Sequence, residues 1–96
     1  MVYTQPDLVR GIPSWRISLQ DYVIDYILGL KEIDFESVKI LDLGCGLGYT
    51  LAKLSRLLPN GAIIVGIDII KEATASSREL LEKTGGRSTV DVKSVS

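Results

Sequence analysis

Histidine is missing from this chain altogether, and cysteine, methionine, tryptophan and phenylalanine each occur once in its 96 residues. The lack of histidine excludes His-based catalytic triads, an imidazole general base and His-containing zinc sites. A lone cysteine, Cys45, cannot form an internal disulfide, and a reducing cytoplasm is the setting it suits. Neither sign of charge dominates, since 11 Lys and Arg stand against 12 Asp and Glu for a net charge of −1. That balance gives no support to a nucleic-acid footprint. Long apolar runs are also missing. The longest clean one, Ala62 to Ile67, is far short of the ~20 residues a membrane span needs. Met1 to Asp7 has no basic or apolar leader character, so no signal peptide is expected. What remains is 46% apolar and 24% charged, the composition of a single small globular domain.

The first stretch contains Pro6, Gly11 and Pro13 without a sustained period, so residues 1–17 are expected as an irregular arm and 18–96 as the folded part. From about Ser18, Leu19, Tyr22, Val23, Tyr26, Ile27 and Leu30 recur at helical spacing and are expected to face the core. Ser18 with Asp21 resembles a capping box, and Ser14 is an alternative cap one turn earlier. Val38 to Leu43 is a short apolar run ending at glycine, which predicts a buried strand. Tyr49 to Leu58 then reads as a helix with Leu51, Ala52, Leu54, Leu57 and Leu58 available to the core, stopped by Pro59-Asn60-Gly61. Ala62 to Ile67, rich in β-branched residues, is the next strand. Lys71 to Lys83 reads as a third helix, with Ala75, Leu80 and Leu81 apolar and Gly85-Gly86 at its end. Thr89 to Val95 is a plausible edge strand. The order is helix, then β-α-β-α-β, which implies parallel strands in an α/β sheet, half of a doubly wound Rossmann-like fold.

Asp42-Leu43-Gly44-Cys45-Gly46-Leu47-Gly48 falls where the first strand turns into a helix. Glycines there reach positive φ and let a ligand approach the backbone, while the helix N–H groups from about Gly48 to Leu51 face an anionic group. Asp68 lies at the end of the second strand, where a parallel sheet would bring it beside the glycine turn and a carboxylate can accept both ribose hydroxyls. A dinucleotide fingerprint read from Gly44 would need glycine where Tyr49 stands, and no Gly-Lys-Ser/Thr ending makes a P-loop. The run Ile40 to Gly48, together with Val65-Gly66-Ile67-Asp68-Ile69, resembles the class I S-adenosylmethionine-dependent methyltransferases, over about Val38 to Val95.

That resemblance implies S-adenosylmethionine as cofactor and strands in the order 3-2-1. It implies that Gly44, Gly46 and Gly48 pass the backbone under the cofactor's amino-acid portion and that Asp42 orients it. Asp68 would hold the ribose hydroxyls and Ile69 would offer an apolar face to the adenine. Cys45 completes the implied cofactor-binding set as a small residue inside the turn. With no histidine available, it reads as packing rather than as a nucleophile. Asp68 has a second reading, as a cap of the third helix, and Tyr22 and Tyr26 read as core residues. For Trp15 and Tyr3, packing and cofactor cover both stay open. No metal site is implied, and neither the catalytic residues nor the methyl acceptor are assigned.

The sequence also departs from the family pattern. Ser94-Val95-Ser96 stands where relatives place an acid that contacts the adenine, and the second half of the sheet is missing from these residues. The expectation is therefore the S-adenosylmethionine-binding part of a methyltransferase, inactive in these 96 residues alone. The alternative is a free-standing, non-catalytic half-domain that binds a nucleotide-like ligand or a partner. In either case strand 38–43 would be left with an unpaired apolar edge, and a homodimer through that edge is expected.

Overall fold

In a computed structural model that describes residues 14–95, the short apolar run, the β-branched run and the later Thr-Val-Asp-Val segment form three short strands, β1 (Lys39–Leu43), β2 (Ile63–Asp68) and β3 (Thr89–Ser94). They pair in parallel in the order β1-β2-β3, with Leu43 opposite Ile67 and Asp68 opposite Ser94. Three helices complete the fold: α1 (Ser14–Leu28), α2 (Tyr49–Leu57) and α3 (Lys71–Thr84). Helix α2 links β1 to β2 and α3 links β2 to β3, giving the expected α/β arrangement with strand order 3-2-1. Gly85, at φ 65°, ends α3, and its N–H returns to Leu81 O at 3.0 Å.

Strand alternation gives the sheet two unlike faces. Ile40, Ile64, Val90 and Val92 point to the helical side and pack with Ile24, Leu51, Leu54 and Leu58. Leu41, Leu43 and Ile63 point the other way and are exposed, at 58%, 70% and 39%. All three helices thus contribute to one side, and β1 forms a sheet edge.

Helix α1 differs from its expected form in two respects. It begins at Ser14, so residues 14–17 of the expected arm are helical, while Tyr3 and the rest of the arm lie outside the described residues. It also buries a different face. Ile17, Asp21 and Ile24 are buried, whereas Leu19, Tyr22, Val23 and Tyr26 are exposed. Apolar residues surround this helix on most sides, so periodicity alone could not choose between two stripes. The buried stripe includes an acid because that acid is paired through one oxygen: Asp21 Oδ1 accepts from Tyr49 Oη and from Lys53 Nζ, both at 2.5 Å, while Oδ2 is buried with no hydrogen-bond partner among the described residues. Ile17 then packs with Tyr49, Ala52 and Leu80.

Smaller differences follow the same logic. Leu57 faces outward. Helix α3 buries Ala73, Thr74, Ser77 and Leu80 while Ala75 stays exposed, and Ser77 is the residue of this stripe that meets the glycine turn, at Gly48. Truncating Ile24 to Ala should cost about 2–5 kcal/mol in urea unfolding, the usual range for a fully buried aliphatic side chain. Tyr26→Ser should stay within about 0.5 kcal/mol of the parent, as an exposed position does. The opposite ranking would restore the other face of α1 as the buried one.

Candidate functional site

The carboxyl ends of β1 and β2 meet at a turn with little side-chain bulk. Gly44, Gly46 and Gly48 all adopt positive φ, at 70°, 58° and 92°. Gly48 is the tightest of the three, since a Cβ there would come within 2.9 Å of the Ser77 backbone on α3, so both conformation and space require glycine. Among the described residues, a Cβ at Gly44 would meet nothing within 4 Å, and one at Gly46 would meet only Arg16 Nη2, at 3.7 Å, apart from the turn's own backbone. Among the described residues, the tip of Arg16 is thus the side-chain group that would approach a Cβ at Gly44 or Gly46 within 4 Å.

The turn is fastened to β2 and α3. Gly44 and Cys45 N–H both donate to Ile67 O, at 2.8 and 3.0 Å. Ser77 Oγ donates to Gly46 O at 2.7 Å, which satisfies a hydroxyl that the packing of α3 has buried.

Asp68 makes the central link. Its Oδ2 accepts from Gly46 N–H at 2.9 Å and its Oδ1 from Ile70 N–H at 3.0 Å. Its backbone oxygen accepts from Val95 N–H at 3.0 Å. The Ile70 amide, then that of Gly46, hold this carboxyl below the usual carboxylate range, and the Ile69 amide and the charge of Arg16 act in the same direction. The N-cap residue of α3 is Ile70, which makes no side-chain cap bond, and Asp68 reaches the helix entry from two residues upstream through its bond to the Ile70 amide. A carboxylate has about four acceptor positions. Two are engaged by amides here, which leaves the others able to accept from a vicinal diol.

Asp42 shows the opposite electrostatics. Burial pushes its carboxyl up, and the nearby negative charge of Asp68 adds to the effect. Burial likewise raises the Cys45 thiol, which lies 3.9 Å from Ser77 Oγ and is buried, so it is protonated and shielded rather than nucleophilic. Ile69, directly after Asp68, is 74% exposed and offers an apolar surface at the rim.

The structure thus gathers Asp42, Gly44, Cys45, Gly46, Gly48, Asp68 and Ile69 around one turn. Two contributors were not singled out from sequence. Ser77 sits as a polar residue on the buried stripe of α3, between Thr74 and Leu80. Arg16 stands one residue before the buried Ile17, and only the seating of α1 brings it to the glycines.

Residues 34–93 match a family profile described as a methyltransferase domain. A protein-L-isoaspartate O-methyltransferase from Aeropyrum pernix is 43% identical over 54 residues, which is 56% of this chain and 21% of that protein. Among solved structures, a SAM dependent methyltransferase from Aquifex aeolicus aligns with a TM-score of 0.67 and 25% identity, over 98% of this chain and 48% of that one. PKMT2 from Rickettsia typhi in complex with AdoHcy aligns with a TM-score of 0.56 and 26% identity, over 67% of this chain and 12% of that one. The chain spans less than half the length of each of these relatives.

The environment of Asp42 gives a stability prediction with a definite sign. Its folded pKa is raised above the ordinary 3.8, so the ionised form opposes folding at neutral pH, and that penalty disappears once both states are protonated. Asp42→Asn should therefore raise Tm at neutral pH, with the gain fading as the pH falls below 3.8. Thermal melts across that range check this, and a variant destabilised at neutral pH would contradict it.

Proposed function

The chain belongs to the class I S-adenosylmethionine-dependent methyltransferase family, and on that premise we propose that it forms the S-adenosylmethionine-binding part of an enzyme that transfers a methyl group. The observation that carries the proposal is the Asp68 carboxylate, bonded to Gly46 N–H and level with a turn of three positive-φ glycines. The open space above Gly44 fits a ligand chain that must run close to backbone.

In this reading Asp68 receives the ribose hydroxyls on the acceptor positions its two amide bonds leave free. Ile69 lies against the adenine, which accounts for an exposed isoleucine at the rim. Gly44, Cys45, Gly46 and Gly48 carry the backbone beneath the amino-acid portion, with Asp42 orienting it. When bound, the cofactor supplies a methyl group activated by its sulfonium. The chain's own residues bind and align; no described residue is assigned as a base. Acceptor alignment falls to polypeptide packed on the free side of β1, where Leu41 and Leu43 stand exposed. Alignment alone supplies much of the rate when the acceptor is already nucleophilic.

The same exposed edge favours a second reading, a non-catalytic half-domain that pairs with a second copy through β1 and binds a nucleotide-like ligand. Among the described residues no helix is long and apolar enough to cross a membrane.

Isothermal titration of the chain with S-adenosylmethionine should give saturable binding. Asp68→Ala should weaken it at least about tenfold, through loss of charge-assisted hydrogen bonds, and Gly46→Val should abolish it, because a β-branched residue is strained at φ 58° and its side chain would stand on the open surface of the turn. Full affinity in Asp68→Ala would refute the assignment. Light scattering on the same samples separates the readings of β1, since a monomer removes the paired-edge reading.

A further inference from the structure

Helix α1 carries two stripes, and the packing of the fold uses one of them. Ile17, Asp21 and Ile24 are buried, while Trp15, Leu19, Tyr22, Val23 and Tyr26 stand exposed. Trp15, Tyr22 and Tyr26 keep 68%, 69% and 64% of their surface in water, a large apolar area for one helix of 15 residues. At about 100° per residue, Trp15, Leu19, Tyr22 and Tyr26 fall within about 60° of one another, on the side of the helix opposite the buried stripe. A second element can therefore cover them without disturbing the seat of α1 on α2.

Their spacing is that of a helix seam. The steps from Trp15 to Leu19, Tyr22 and Tyr26 are four, three and four residues, the alternation of core positions in a coiled coil. The pattern is also symmetric about its midpoint, between Gln20 and Asp21: Trp15 and Tyr26 lie equally far from it, as do Leu19 and Tyr22. When two such helices run antiparallel about a two-fold axis at that point, Trp15 of each copy is level with Tyr26 of the other, and Leu19 with Tyr22. A two-fold interface needs this self-complementarity. The exposed charges Arg16 and Asp25 flank the seam on opposite sides and stay out of it. The stripe exposes about 500 Å² per copy, so a pair buries about 1,000 Å² in total, where specific interfaces begin. A lipid surface fits less well, because an interfacial helix carries several basic residues beside its apolar face, and α1 sets Arg16 alone against Asp21 and Asp25.

We propose that the exposed stripe of α1 docks a second copy of this chain, α1 against α1 in antiparallel register, with the Trp15–Tyr26 and Leu19–Tyr22 contacts each made twice. This surface is separate from the β1 edge and does not depend on the S-adenosylmethionine reading. Asp21 fastens α1 to Tyr49, the first residue of α2 after the glycine turn. Pairing through α1 therefore carries two such turns in one particle, each beside the helix that joins them.

Sedimentation velocity on the parent chain, carried up to hundreds of micromolar, should show a concentration-dependent dimer, as an interface of this size gives. Leu19→Glu alone and Tyr22→Lys alone should each weaken self-association at least about tenfold, because each sets an unpaired charge against an apolar side chain of the other copy. Both positions are exposed in the single chain, so far-UV circular dichroism should match the parent. An equimolar mixture of the two variants should recover a dimer. In the antiparallel register the two new charges face each other with opposite sign, and the second Leu19–Tyr22 contact is native. A parent chain that stays monomeric, whether or not it binds phosphatidylcholine vesicles, overturns the proposal. So does a dimer that neither substitution weakens, or a mixture no more associated than its components. None of these results alters the cofactor reading, which titration tests separately.

Discussion

The carboxylate of Asp68 and its backbone oxygen together hold the upper edge of the sheet. One oxygen takes the Gly46 amide from the turn after β1, the other takes the Ile70 amide before α3, and the carbonyl takes Val95 from the end of β3. Remove these bonds and the glycine turn loses its link to the acid, α3 loses the bracing of its entry, and β3 loses its last attachment. Two amide donors also favour the ionised form of the group, the form in which the proposed acceptance of ribose hydroxyls would take place. Asp42 cannot share this role. It is more buried, makes no side-chain hydrogen bond among the described residues, and carries a raised pKa. Two acids of one motif pair are thus driven apart by their surroundings.

A second constraint acts from the other side of the turn. Gly48 must be glycine because Ser77 lies against it, and Ser77 must be small and polar because it both packs there and donates to Gly46 O. On the buried stripe of α3, Ala73, Thr74 and Ser77 are small, and leucine enters only one turn later, at Leu80. On α1, Asp21 holds the helix against Tyr49 and Lys53 at the start of α2. Breaking such a buried pair by removing one partner typically costs about 3–5 kcal/mol, so the seating of α1 is firmly specified. A helix that could be taken for an N-terminal appendage is fastened to the turn it overlooks.

Much of this was legible in the sequence. The strands stood out because β-branched runs such as Ile63-Ile64-Val65 lie between Pro59-Asn60-Gly61 and the next polar segment. The glycine spacing and the position of Asp68 gave the turn and its partner acid, because strand length and parallel register place them side by side. The face of α1 was not legible. Leu19, Tyr22 and Tyr26 form an apolar stripe as regular as Ile17, Ile24 and Leu28, and Asp21 marked the true buried face as polar. Only the partners of Asp21, 28 and 32 residues away in sequence, reverse that judgement. Ser77 and Arg16 escaped for the same reason, since their meaning lies in tertiary contacts.

The exposed residues of the sheet carry the remaining physical message. Leu41, Leu43 and Ile63 lie on the face opposite the helices and beside an unpaired edge, where apolar side chains gain from any cover. The described residues therefore supply a glycine turn with one side of its sheet furnished and the other side available. The central claim is that this turn, and no other part of the surface, receives the cofactor. It is tested most directly by recording amide NMR spectra of the chain during titration with S-adenosylhomocysteine. The account predicts shifts concentrated in residues 44–49 and 68–70 and at Arg16, with the ends of the strands opposite the turn unmoved. Saturable shifts confined to another region, or none at all, would contradict it.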